Sequence, residues 1–296
     1  MANLKAIRIR ITSVKSTRQI TSAMKMVSAA KLRKAQDKIV RLRPYAGKLH
    51  EILVGLSQSL AGTEVENVYG RTGDTEKVLI VVVTSNRGLC GAFNSNVIKE
   101  TRRVIAEKYY TQFEKGNVKL LTIGKKGYDF FRRTKVPIAG ENNNLLNDLS
   151  FNDASLVAEK IMNSFVAGEY DRIDIIYNQF KNAAVQNLTY EHFLPVETEA
   201  ASGDNWKNAP ADYIYEPGKE EIIRELIPKS LRIQFYKAVL DSYVAENGAR
   251  MTSMHKATDN ATTIIRELTL QYNKARQAAI TNQILEVVSG AEALKG

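Results

Sequence analysis

The chain has 296 residues, 44 % of them hydrophobic, with a formal charge of +10 and one cysteine, Cys90. That length allows one large domain, or a compact domain with long extensions. A lone cysteine excludes an internal disulfide, the widely spaced His50, His192 and His255 form no zinc motif, and no apolar run is long enough to span a membrane.

The charge is unevenly placed. Residues 1 to 45 hold 12 Lys or Arg and one acid, Asp37, a net of +11; the other 251 hold 30 basic and 31 acidic groups, a net of −1. Such a segment can face nucleic acid, an anionic membrane or an acidic protein cavity, and Coulomb attraction alone does not choose. It is amphipathic in the manner of a mitochondrial presequence, but the pattern continues well past presequence length. The first 30 residues lack the apolar core and small-residue cleavage site of a secretory signal.

Residues 3 to 60 read as one long helix. Leu4, Ile7, Ile11 and Val14 recur at spacings of three and four, Ile20, Met24 and Val27 extend the apolar side, and Leu32, Ala35, Ile39 and Leu42 continue it. Pro44 is expected to break or kink the run before Leu49, Ile52, Leu53 and Leu56 resume it. Such a helix spans roughly 80 Å, too long for a compact globule and suited to a coiled coil.

The middle of the chain has another texture. "KVLIVVV" (77 to 83), "VKLLTI" (118 to 123) and "RIDIIYN" (172 to 178) read as strands, with helices near 94 to 113, 125 to 133 and 153 to 167. This alternation predicts an α/β domain with a mostly parallel sheet. "AAVQNLTYEHFLPV" (183 to 196) adds an edge strand, and the polar stretch 198 to 212 reads as a loop.

After the first strand comes "TSNRGLCGAFN" (84 to 94), a place where nucleotide-binding proteins often hold phosphate. It matches neither the Walker loop nor the Gly-x-Gly-x-x-Gly pattern. Gly88 and Gly91 read as residues of a tight strand-to-helix turn, Asn86 or Asn94 as a helix cap, and Cys90 as a small buried hydrophobe. "GKKG" (124 to 127) resembles a phosphate loop only faintly, and Lys125 and Lys126 read as solvated turn residues.

From about Glu220 to Ser289 the helical pattern returns, with Pro228 as an expected kink or restart and Gly248 as a weak point. Met251, Met254, Thr258, Ala261, Ile265, Leu268, Tyr272, Ala275 and Ala279 alternate three and four apart, a heptad seam. His255 lies within it and is expected to be partly exposed or interfacial. Two long helices at opposite chain ends, each with one apolar seam, bury each other most simply as an antiparallel pair. No convincing pair of catalytic carboxylates appears, so the residues point to a mechanical or interaction role.

Three stretches carry a family resemblance: "IRIRITSVKSTRQITSAMKMVSAAKLRKAQ" (7 to 36), "NRGLCGAFN" (86 to 94) and "ARMTSMHKATDNATTIIRELTLQYNKARQAAITNQILEVVSGAEAL" (249 to 294). In these, and in order along essentially the whole chain, the sequence resembles the gamma subunits of F-type ATP synthases. The resemblance implies an α/β fold with a Rossmann-like central domain at residues 75–197. It also implies a long antiparallel coiled coil formed by the N-terminal helix, 1–60, and the C-terminal helix, 213–296.

The function implied is that of a central-stalk rotor subunit, non-catalytic by itself. Ion flow turns a membrane c ring and the shaft, which drives conformational cycling and ATP synthesis or hydrolysis at the beta subunits. The implied partners are the alpha3beta3 hexamer, the epsilon subunit and the c ring, with no nucleic acid. ATP, ADP and Mg would sit on alpha and beta, and this chain would bind no cofactor directly. Its implied place is peripheral, on the cytoplasmic side of a bacterial membrane. Chloroplast members carry an inserted cysteine pair that this chain lacks, which excludes thiol regulation of that kind.

The resemblance also assigns residues. Arg250, Gln277 and Thr281 match the catch that engages the beta subunits, and Met24 and Lys25 match the neck of the N-terminal helix. Lys25 stands where some members have an acid. Ile284, Val287 and Val288 would turn in an apolar bearing of the hexamer. In "DYIYEP", Tyr213 and Glu216 match the foot that meets epsilon and the c ring. The competing readings are a nucleic-acid-binding coiled coil, resting on the +11 segment, and a nucleotide-using enzyme, resting only on the middle fold.

Overall fold

The computed structural model describes residues 4–59, 68–71, 73–196 and 219–293. Tyr213, Glu216 and the loop expected at 198 to 212 lie outside the described residues. The chain divides into two units, one of residues Met1–Ala29 with Arg250–Gly296, the other of Ala30–Ala249.

Two long helices contribute to both units. Helix α1 spans Leu4–Ser59 and α6 spans Lys219–Ala293, 56 and 75 residues. Pro44 and Pro228 lie inside them, so neither residue breaks or restarts its helix. Pro44 is on an exposed face, where water can take the carbonyl it leaves unbonded one turn earlier. Gly248, expected as a weak point, sits inside a buried stretch of α6 with Ala183 and Phe180 packed beside it.

In the first unit α1 and α6 form an antiparallel coiled coil. The Arg8 guanidinium donates to the Tyr272 hydroxyl at 2.7 Å, the Thr21 and Thr258 hydroxyls share a 2.8 Å hydrogen bond, and Lys25 Nζ lies 3.5 Å from His255 Nδ1. Advancing 17 residues along α1, from Arg8 to Lys25, retreats 17 along α6, from Tyr272 to His255, so the register is constant. Each of the nine seam positions from Met251 to Ala279 is buried or half-buried.

The α1 seam departs from expectation. Ile20 and Val27 are 60 % and 58 % exposed, whereas Thr21 and Ser28 are buried. The strict three-four alternation from Val14 runs through Arg18, Thr21, Lys25 and Ser28 to Leu32. Geometry holds that register across polar residues, and the apolar side chains one position away face outward.

The second unit holds a five-stranded sheet in the order β3-β2-β1-β4-β5. Its strands are β1 (Val78–Val83), β2 (Val118–Ile123), β3 (Ile138–Glu141), β4 (Arg172–Phe180) and β5 (Gln186–Leu194). All pairs are parallel except β4 with β5. Strand β3 was not expected. It is four residues long, contains Gly140 and pairs across a bulge, so its sequence carries little alternation.

All six residues of β1 are buried, as a central parallel strand covered on both faces must be. Helix α2 (Phe93–Lys108) covers one face. Its Val97, Val104 and Ile105 pack in a cluster with Val78, Ile80, Val82, Leu120 and Phe131, the last from α4 (Lys125–Phe131). Burying each such side chain is worth about 1.5–3 kcal/mol. A short α3 (Tyr110–Glu114) follows α2 where one longer helix was expected. Helix α5 (Phe151–Val166) starts at Ser150, whose Oγ accepts from the Asp153 amide at 3.2 Å.

Candidate functional site

The glycine turn after β1 is closed by its own side chains. Asn94 does not cap α2, whose N-cap is Ala92. Its Oδ1 instead accepts from the Ser85 amide at 2.9 Å, and its Nδ2 donates to Ser85 Oγ at 2.8 Å. Asn86 is no cap of α2 either. Its Oδ1 accepts from the Lys125 amide at 3.1 Å, and its Nδ2 donates to the Asn143 carbonyl at 2.8 Å. Gly91 takes φ +62, and so does Leu89 at +64, an uncommon conformation for a branched side chain. Cys90 is buried, as a structural thiol is.

The start of α4 is closed too. Lys126 donates its amide to the Ser85 carbonyl at 3.0 Å and Gly127 donates to Thr84 Oγ1 at 2.8 Å. With the Lys125 amide on Asn86, the first three amides after Gly124 all have protein partners, where a phosphate site needs them open. Lys125 and Lys126 are exposed residues of the first helical turn.

The crest of the sheet is covered as well. In doubly wound folds, ligands enter where strand order reverses, here between β1 and β4. Asn178 near the end of β4 donates to the Phe93 carbonyl at 3.1 Å, bridging that point. A Cβ on Gly248 of α6 would stand 3.2 Å from Ala183 Cα, so this helix lies against the loop that follows β4. Among the described residues no group of His, Cys, Asp and Glu is placed to hold a metal ion. No helix in that set is long and apolar enough to cross a membrane.

One polar centre escaped the sequence reading. Asp174 of β4 is buried, accepts from Tyr109, from Tyr190 at 2.9 Å and lies 2.9 Å from His192 Nδ1, with Arg172 Nε 3.5 Å away. Burial alone would raise its carboxyl, but the hydrogen bonds from His192, Tyr109 and Tyr190 and the charge of Arg172 outweigh it and hold it below the ordinary carboxylate range. Burial, then the Asp174 charge, pushes the Tyr109 hydroxyl far above the usual tyrosine value. The network ties β5 and the end of α2 to β4. Alternation in "RIDIIYN" puts the acid on the face opposite Ile173 and Ile175, and it is the covering of both faces of β4 that buries it.

The residues assigned to partner contacts fall at two levels of the coiled coil. Met24 and Lys25 are half-buried, at the level of His255, and Arg250 lies five residues before that histidine. His255 is exposed and also meets Asp259 at 3.3 Å, so Lys25 belongs to a small charge cluster. Arg250 is only 9 % exposed, which excludes a merely solvated side chain. Gln277 and Thr281 lie about 40 Å further along α6 and are exposed. The Thr281 hydroxyl donates to the Gln277 carbonyl at 3.0 Å, so the two share a face.

Beyond that level every residue from Ile280 to Ala293 is exposed. Ile284, Val287 and Val288 are 58 %, 72 % and 51 % exposed. Ile280 and Leu285, which the sequence reading did not name, join them at 49 % and 59 % exposed. A helix end with this much apolar surface in water is built to be covered.

Known proteins place these features. The sequence profile of the ATP synthase family matches residues 3–294. The ATP synthase gamma chain of Flavobacterium johnsoniae is 55 % identical over 302 residues, covering all of both chains. A chain from the central stalk and c-ring structure of Tetrahymena thermophila mitochondrial ATP synthase superposes with a TM-score of 0.58 at 26 % identity, covering 80 % of this chain and 99 % of the other. A chain of the Euglena gracilis mitochondrial enzyme shares the fold, with a TM-score of 0.67 at 23 % identity, covering 98 % of this chain and 94 % of the other. An antiparallel helix pair with an exposed apolar end, an α/β domain whose ligand crest is closed, and identity over the full length all agree, and the chain belongs to the ATP synthase gamma chain family.

Proposed function

We propose that this chain is the central rotor shaft of an F-type ATP synthase, coupling ion-driven rotation of a membrane c ring to conformational cycling of the catalytic beta subunits. It is not an enzyme by itself. Nucleotides and Mg belong to the alpha and beta subunits, and the closed crest of the sheet supports that division.

The observation that carries this reading is the combination of full-length family identity with a long helix pair whose end is exposed and apolar. Two helices in antiparallel register have no three-fold symmetry, so a ring of three beta subunits meets a different surface at each position. Rotation then changes which beta conformation is favoured, a population shift by differential contacts. Carrying one site from nearly all one conformation to nearly all the other needs about 5.5 kcal/mol of differential contact energy.

Residues 1–60 and 213–296 are assigned to the shaft and 75–197 to the foot domain. Met24, Lys25 and Arg250 form one contact level with beta, and Gln277 and Thr281 a second. Ile284, Val287 and Val288 supply the bearing, where contacts without direction let the shaft turn. Tyr213 and Glu216 are assigned to epsilon and the c ring by resemblance. With bacterial relatives at this identity, the place assigned is peripheral, on the cytoplasmic side of the cell membrane.

The test is reconstitution of alpha and beta subunits with and without this chain, followed by an ATPase assay. Assembly of three alpha, three beta and one copy of this chain, with strongly raised turnover, is expected. A hexamer that neither binds the chain nor changes its turnover overturns the reading.

A further inference from the structure

One side chain in the second unit joins three elements. The Arg43 guanidinium on α1 donates to Asp241 Oδ1 on α6 at 3.0 Å and to the carbonyl of Phe180, the last residue of β4, at 3.2 Å. The Asp241 side chain is fully buried, while that of Arg43 is 45 % exposed. Asp241 Oδ2 and the neighbouring Ser242 Oγ have no hydrogen-bond partner among the described residues. A carboxylate placed so is a poor device for stability, since apolar residues of similar volume often do as well or better. Such a placement points to another role.

Other side-chain tethers between the helices and the α/β domain are found among the described residues, and at Glu191 of β5 a Tyr177 hydroxyl from β4 joins as well. Lys38 of α1 donates to the Leu149 carbonyl at 3.3 Å, Arg232 of α6 meets Glu159 of α5 at 2.9 Å, and Gln234 of α6 donates to Glu191 of β5 at 2.8 Å. Around Asp241 the α6 segment from Ala238 to Ala249 is buried except for the half-buried Tyr243. Apolar packing of that kind resists separation but has no directional bonds to resist sliding or turning of a helix in its bed. The Arg43 Nη2 group supplies two such bonds at one point.

We propose that Arg43 and Asp241 are a torsional pin, locking both shaft helices to the end of β4 so that turning of the α/β domain passes to the shaft without slip. The proposal rests on the rotor reading and names positioning residues for it. Neither residue touches nucleotide.

The test uses the complete membrane enzyme in vesicles, carrying the wild-type chain, Arg43→Met with Asp241→Leu, Asp241→Asn, or Arg43→Lys. ATP hydrolysis and ATP-driven ion pumping are measured together. Stimulated hydrolysis by the wild-type chain tests the rotor reading separately. In the double variant and in D241N, hydrolysis is expected to stay near wild type, while ions pumped per ATP fall about threefold or more, within the range by which such networks modulate coupling. Arg43→Lys, with its single point charge, is expected to fall between. An unchanged pumping-to-hydrolysis ratio in both variants overturns the proposal. Failure of both to assemble assigns the pair to folding and overturns it as well.

Discussion

The hydroxyls of Thr21 on α1 and Thr258 on α6 lie 2.8 Å apart inside the coiled-coil seam. One hydroxyl of the pair accepts, and each is also within hydrogen-bond reach of a carbonyl on its own helix, that of Arg18 at 3.1 Å and that of Met254 at 2.8 Å. Thr258→Val therefore removes one cross-helix bond without stranding Thr21. It should cost about 0.5–1 kcal/mol, and the double change to valine should recover that or more, because an apolar pair replaces a polar one. Urea unfolding of the four chains of this cycle measures it. A double variant weaker than the single one would show that the hydroxyl pair, rather than packing, sets the register.

Asp174 predicts a pH dependence with a definite sign. Its carboxyl is held below the ordinary value of 3.8, so the folded state favours the charged form. The stability this gives is present above that ordinary value and is lost as pH falls through the lowered one. Asp174→Asn should cost on the order of 3 kcal/mol at neutral pH, since Arg172 and the two tyrosines lose a charged partner. It should also flatten the loss of stability below about pH 4. Asp241 acts in the opposite sense. Burial raises its carboxyl more than Arg43 lowers it, so its contribution is greatest in acid and declines as pH rises through the raised value. Unfolding free energies between about pH 2 and 7 for wild type, D174N and D241N separate the two slopes.

The seam of α6 was legible position by position, because nothing interrupts its three-four alternation. The seam of α1 was legible only at its ends. Thr21 and Ser28 are buried because the register set by Val14 and Leu32 carries them inward, and hydrophobicity alone pointed to Ile20 and Val27 instead. The parallel strands announced themselves as apolar runs, whereas β3 did not, being short, half-exposed and held by pairing rather than pattern. Of the candidate site, the exposed tail could be named from resemblance. The polar centres at Asp174 and Asp241 required knowing which acids face inward and what meets them there, and that is tertiary information.

Gly124 and Gly47 should respond to alanine with opposite signs. Gly124 has φ +98, and a Cβ there would stand 2.2 Å from the Thr84 carbonyl oxygen. That oxygen is backbone of the segment leaving β1 and cannot swing aside. Gly124→Ala should therefore cost about 3 kcal/mol or more, combining left-handed strain with a clash. Gly47 lies inside α1, and a Cβ added there would meet nothing within 4 Å. Gly47→Ala should stabilise by about 0.5–1 kcal/mol through helix propensity. Thermal melts of both variants decide this, and equal shifts would contradict the contact geometry.

The exposed end of α6 should separate folding from function. Ile284, Val287 and Val288 touch water in the free chain, so changing all three to asparagine should alter its unfolding free energy by no more than about 0.5 kcal/mol per site. In a hexamer the same side chains would be buried. Losing them should weaken binding by on the order of 3 kcal/mol, roughly a hundredfold. Gln277→Ala, which removes hydrogen bonding but little apolar area, should change affinity less and stimulation of turnover more. Titration of alpha–beta hexamers with each chain, read by both binding and ATPase rate, distinguishes a bearing from a catch. If the triple variant binds as tightly as wild type, the apolar tail is covered by something other than the hexamer.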